Sequence, residues 1–174
     1  MFGEGTRFIR LTDEHEIKPF DCGDDDLNEF VAIDAKLYLT ELLAVTYLIE
    51  NDLDTIAFFA VSNDRIAIDN MDSNAQWNKL RKRFPQQKRL RSYPSVKIGR
   101  IGVSNKYPNC GYGSKILNYI KFWFTDVNKT GCRFITVDSY QSATNFYKKN
   151  GFDFLSKEDE KELTRLMYFD LATL

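Results

Sequence analysis

Apolar and polar positions change rhythm several times along this chain. Phe8 and Ile9 stand among polar neighbours, so residues 7–12 are predicted to form a short strand. "FDCGDDDLNEF" then predicts a helix start, because its acids supply an N-cap and suit the positive end of a helix dipole. Asp26 and Glu29 have capping-box spacing, with Asp in place of Ser or Thr. Leu27, Phe30, Val31, Leu37, Tyr38 and Leu42 supply an apolar stripe interrupted at Asp34. "AVTYLIE", the turn "NDLD" and "TIAFFAVS" read as a β-hairpin. Residues 69–92 are polar and basic, with a short helix expected over residues 77–83, broken before Pro85. "SVKIGRIGV" is the next strand, and Gly99 and Gly102 inside it mark a bulge or a close approach by a ligand.

Beyond that strand comes "PNCGYGSK" (residues 108–115), followed by Ile116, Ile120, Trp123, Phe124 and Val127 at helical spacing. "CRFITVD" predicts a strand, and "SATNFYKKNG" a helix ended by Gly151. "FDFL" and "RLMYFDL" predict a closing pair of strands. The order β, α, β-hairpin, β, α, β, α, β, β predicts an α/β sandwich with a mixed, mostly antiparallel sheet. No repeat, low-complexity tract or linker interrupts it, so a single domain over residues 1–174 is expected.

Composition narrows the function classes. Hydrophobic residues make up 43% and charged residues 28%, and the net charge is −1. This balance argues against a protein built wholly around nucleic acid. The charge is uneven, however. Lys79, Arg81, Lys82, Arg83, Lys88, Arg89 and Arg91 form a basic stretch, and Asp13, Glu14, Glu16, Asp21, Asp24, Asp25 and Asp26 an acidic one. Each reads either as a face for a polyanion or partner, or as a solvated segment. Cys22, Cys110 and Cys132 are odd in number and contain no C-x-x-C pair, so neither a disulfide framework nor a metal site is expected. With no apolar leader and no run of membrane-spanning length, a cytoplasmic setting is expected.

The glycine loop admits three phosphate readings. A P-loop needs Lys before Ser or Thr, but Ser114 precedes Lys115 and Pro108 stands where its first Gly belongs. A dinucleotide fingerprint needs a third Gly where Ile116 stands. The remaining reading is a strand, a loop ending in G-x-G, and a helix whose first amides face a pyrophosphate.

"IGRIGVSNKYPNCGYGSKIL" resembles the coenzyme A loop of the GNAT (Gcn5-related) N-acetyltransferases, with Gly111 and Gly113 on the family's glycine pair and Pro108 on its Gln or Arg. About 30 residues downstream, "SATNFYKKNGF" is similar to the family's A-x-x-F-Y-x-x-x-G-F block through Ala143, Phe146, Tyr147, Gly151 and Phe152. "FDCGDDDLNEF" resembles the opening of a toxin-like GNAT branch whose members acetylate aminoacyl-tRNA and are neutralised by a small DNA-binding antitoxin. The resemblance implies a GNAT fold, with helices on both faces of the sheet and a bulged strand before the loop.

It also implies roles. Ile101 and Val103 would pair with the pantetheine arm, with Gly102 allowing the approach. The amides of Asn109, Cys110, Gly111, Tyr112, Gly113 and Ser114 would hold the pyrophosphate of acetyl-CoA, the cosubstrate. Pro108 removes one donor there, which predicts weaker binding than in relatives. Tyr147, a phenol protonated at neutral pH, would be the general acid. Asn145 is a further cofactor candidate on that helix, while the family's Asn three residues before the Ala is Tyr140 here. Asp138 or a water chain is the candidate base. Arg100 reads as a phosphate contact or the partner of an acid, Cys110 as a filler, and His15 as an exposed loop residue. Expected partners are acetyl-CoA, an amine acceptor for which tRNA is one option, an antitoxin and a second copy of the chain. Acetylation of a protein or small-molecule amine is the alternative activity, and a binding module without catalysis the alternative class.

Overall fold

In a computed structural model, residues 2–3, 5–82, 90–126 and 130–174 are described. They contain seven strands, β1 (Arg7–Arg10), β2 (Val45–Glu50), β3 (Thr55–Ala67), β4 (Ser92–Val103), β5 (Phe134–Tyr140), β6 (Asp153–Phe154) and β7 (Thr164–Asp170). The helices are α1 (Asp25–Glu29), α2 (Ala35–Thr40), α3 (Asn74–Arg81), α4 (Tyr112–Asp126) and α5 (Thr144–Lys149). The sheet order is β1-β2-β3-β4-β5-β7-β6. The pairs β1–β2, β2–β3, β5–β7 and β6–β7 are antiparallel. Among the described residues no helix is long and apolar enough to cross a membrane. The residues group into two compact units, Met1–Ser62 with Ile98–Phe122, and Asn63–Lys97 with Trp123–Leu174.

In the first unit both faces of the sheet are covered by helices. Phe30, Val31 and Ala35 from the α1–α2 segment pack with Leu48, Phe58, Ala60 and Leu11. On the other face Tyr119 of α4 meets Phe8 at 4.7 Å and Phe59 at 6.4 Å between ring centroids. Alternation along β2 and β3 feeds both layers, as a sheet buried on two sides requires. Between α1 and α2 the chain makes one π-helical stretch, Phe30–Asp34. That wider turn answers the break in the stripe, bringing Ala35 rather than Asp34 into the core. Leu37 and Leu42 are therefore exposed instead of buried. The N-cap is Asp24, whose carboxylate accepts from the Leu27 amide at 3.1 Å, and Asp26 lies inside α1, so the expected Asp26–Glu29 capping box does not form.

In the second unit Trp77 and Leu80 of α3 pack with Ile66, Met71, Tyr93, Phe134 and Leu155. The hydroxyl of Ser73 caps α3 by accepting from the Gln76 amide at 3.2 Å. That helix begins three residues earlier than the sequence predicts, and Arg83 and Pro85 lie outside the described residues, as does Val127. β3 continues past Ser62 because Ile66 and Ala67 are buried. Gly151 ends the segment after α5 at φ +82°, where a side chain would also meet the Phe169 ring at 3.1 Å.

Candidate active site

The first unit builds the anion cradle. β4 ends with Ile101 and Val103 half-buried and Gly102 buried. The side of Gly102 where a Cβ would sit is filled by aromatic rings, Phe58 Cε1 at 2.7 Å and Phe20 Cζ at 3.1 Å. Beyond the strand the Ser104 amide donates to Ile56 O (2.8 Å) and the Asn105 amide to Asp21 O (2.9 Å). The chain then turns through Asn109 at φ +58° and Gly111 at φ +71°. Asn tolerates this left-handed conformation best among residues with a side chain, and Gly adopts it without cost.

The Lys115 amide donates to Gly111 O at 3.0 Å, the first bond of α4. Helix geometry leaves the amides of Tyr112, Gly113 and Ser114 without an intrahelical acceptor. They project with the positive end of a 15-residue helix, an arrangement suited to a pyrophosphate. Asn109, Cys110 and Gly111 are exposed beside them, and Tyr112, Gly113 and Ser114 are half-buried. Lys115 Nζ lies 5.0 Å over the Tyr112 ring, keeping its charge at the helix start. Cys110 Sγ is 3.4 Å from the Pro108 carbonyl.

The second unit holds Tyr147 on α5, only 4% exposed. Its ring is edge-on to Phe146 (5.1 Å) and Phe152 (5.4 Å). Burial pushes its phenol far above the usual tyrosine range. Asn145 is exposed on the same helix. Asp138, the candidate base, is ion-paired with Lys97. It lines a cavity of about 370 Å³ together with Asp69, Glu158, Asp159, Glu162 and Leu166.

Two other candidates have structural partners. Arg100 Nε lies 3.3 Å from Asp26 Oδ2, and its guanidinium sits 5.5 Å over the Phe30 ring. His15 is not an exposed loop residue. Its Nε2 is 3.2 Å from Oε1 of the fully buried Glu50.

Residues 78–153 match the family model of the acetyltransferase (GNAT) domain. No curated protein matches the chain. Among solved structures, AtaTR bound with acetyl-CoA matches with a TM-score of 0.76 at 17% identity, over 98% of this chain and 96% of that one. AtaT complexed with acetyl-methionyl-tRNAfMet matches with a TM-score of 0.73 at 19% identity, over 97% and 96%. A mutant of KacT gives a TM-score of 0.73 at 18% identity, over 98% and 97%. The chain has the GNAT acetyltransferase fold.

The GNAT match runs from α3 into β6 and takes in both the glycine loop and Tyr147. It leaves out the hairpin turn at residues 51–54, where sequence reasoning saw only a turn. Yet Asp54 Oδ1 accepts from Lys106 Nζ at 2.6 Å and Oδ2 from the Tyr107 hydroxyl at 3.1 Å. The bonds from Lys106 and then Tyr107 hold this carboxyl below its usual range. Asn51 Nδ2 donates to the Tyr107 hydroxyl at 2.6 Å. The only sequence signal for these contacts is a polar "NKY" just ahead of the glycine loop.

Proposed function

We propose that this chain is an acetyl-CoA-dependent N-acetyltransferase whose acceptor is the amino group of aminoacyl-tRNA. The observation that carries the transferase reading is the turn through Gly111 into the first amides of α4. The donors fit a pyrophosphate in number, exposure and polarity. Acetyl-CoA supplies the acetyl group as a thioester. Asn109 to Ser114 bind its phosphates, and the edge of β4 at Ile101 and Val103 lies along the pantetheine arm. Asn145 adds a polar contact from α5. An amide at this edge polarises the thioester carbonyl as an oxyanion donor does.

Tyr147 holds the proton that the departing thiolate takes. Its burial keeps that proton in place across the neutral range. The acceptor amine, with an ordinary pKa near 8, is already partly neutral, so a water chain suffices to remove its proton. For the acceptor itself, support comes from AtaT, solved with acetyl-methionyl-tRNAfMet. AtaT is also solved bound to the C-terminus of the antitoxin AtaR, and a partner of that kind is part of the reading here. The setting is the cytoplasm.

A second reading has its own observation. The carboxylates around the cavity at Asp138 suit a compact cationic amine better than a polyanion. Purified protein, acetyl-CoA and charged tRNA decide between them. N-acetylated aminoacyl-tRNA is the expected product, whereas acetylation of polyamines or protein amines alone overturns the tRNA assignment. Replacing Tyr147 with Phe is expected to lower turnover by roughly 10²-fold or more, with coenzyme A affinity by calorimetry unchanged.

A further inference from the structure

The turn between β2 and β3 is a closed polar ring. Asn51 Oδ1 accepts from the amides of Leu53 and Asp54, both at 2.8 Å, and the Asn51 amide donates to Asp54 O at 3.1 Å. Lys18 donates to the Asn51 carbonyl from outside. Two groups of the ring remain for other partners, the Asn51 side-chain N–H and the buried Asp54 carboxylate. Both go to one short segment, Lys106 and Tyr107, more than fifty residues further along the chain.

That segment immediately precedes Pro108, which has no N–H with which to tie the loop down. Residues 108–111 are exposed. The tethers of the loop on its strand side are therefore those of residues 104–107. The Tyr107 ring also stands edge-on to Tyr112, the first residue of α4, at 6.4 Å. Tyr107 thus links the hairpin turn to the helix start on either side of the exposed loop. A second tether acts two residues earlier, at Asn105. The Asn105 amide group donates to Cys22 O (3.2 Å) and accepts from Gly23 N–H (3.1 Å). A Cβ on Gly23 would stand 2.9 Å from the nearer terminal atom of the Asn105 side-chain amide, so the motif glycine is what admits Asn105.

We propose that Asp54, acting through Tyr107, is a positioning residue for the acetyl-CoA loop, setting where the amides of Asn109 to Ser114 stand. The inference rests on the cofactor reading above. A merely structural carboxylate would cost stability without selecting among substrates. Loss of a positioning one raises the Kd for coenzyme A while leaving kcat at saturating acetyl-CoA and KM for the acceptor in place.

Calorimetry with coenzyme A on the full chain tests this, with Asp54→Asn and Tyr107→Phe. Each is expected to weaken binding about tenfold, the order for losing a hydrogen bond to a buried charged group. Should Asp54→Asn fail to fold, Tyr107→Phe removes a single oxygen and decides alone. Variants that bind coenzyme A as tightly as the wild type overturn the positioning role and leave the transferase reading standing. So does a loss confined to kcat. A wild-type chain that binds no coenzyme A at millimolar concentration overturns both.

Discussion

Tyr147 carries a signature that pH can read. Its phenol is held protonated by burial, so the folded state binds this proton more tightly than the unfolded chain does. The associated stability is whole below the ordinary phenol value of about 10 and is lost progressively above it, as pH rises toward and through the raised folded value. Urea midpoints are expected to fall above about pH 10 in the wild type and less steeply in Tyr147→Phe. Acetyl transfer is expected to rise with pH as the acceptor amine loses its proton, with no descending limb near pH 10 from this acid. An alkaline limb that vanishes on replacing a different residue would move the acid role away from Tyr147. The tyrosine was singled out in the sequence because it sits in a local motif. The pair His15–Glu50 was not legible, because thirty-five residues separate its partners and nothing in either local pattern points to the other. Gly102 was read as room for a ligand, but its missing side chain also makes room for Phe58 and Phe20.

Among the elements, the α1–α2 segment shows where periodicity stops being a guide. A strict 3.6-residue stripe runs on to Leu42, but the π turn changes the phase and the helix ends at Thr40. Leu43 N–H donates to Tyr38 O (2.8 Å) and Leu42 N–H to Leu39 O (3.1 Å), which is a Schellman closure. Leu42 occupies the left-handed position of that closure, at φ +58° and 90% exposed. The strain is not offset by burial, so Leu42→Gly is expected to stabilise the chain by about 0.5–1 kcal/mol in urea unfolding. Capping was legible in kind but not in place. Three consecutive aspartates each suit an N-cap, and only the fold selects Asp24. The hairpin turn was read nearly to the residue, since its chemistry is local, whereas α4 begins at Tyr112, inside the stretch read as the glycine loop. β3 was read short because "NDR" is polar, although Asp64 accepts from Thr136 of the neighbouring region and Ile66 is buried.

Over the whole molecule the charges nearly cancel, yet they are unevenly spread. Carboxylates surround the cavity at Asp138, while the basic stretch lies partly outside the described residues. The three cysteines are unevenly placed as well. Cys22 and Cys132 are half-buried, and burial raises both thiols, Cys132 to about 11. Cys110 alone is exposed, and it lies in the loop assigned to the phosphates. The molecule therefore carries its own footprinting probe. A maleimide dye is expected to mark Cys110 first, and acetyl-CoA to slow that labelling in proportion to occupancy, as peptide mapping by mass spectrometry would show. Cofactor binding can then be followed without an acceptor, a radiolabel or an engineered reporter.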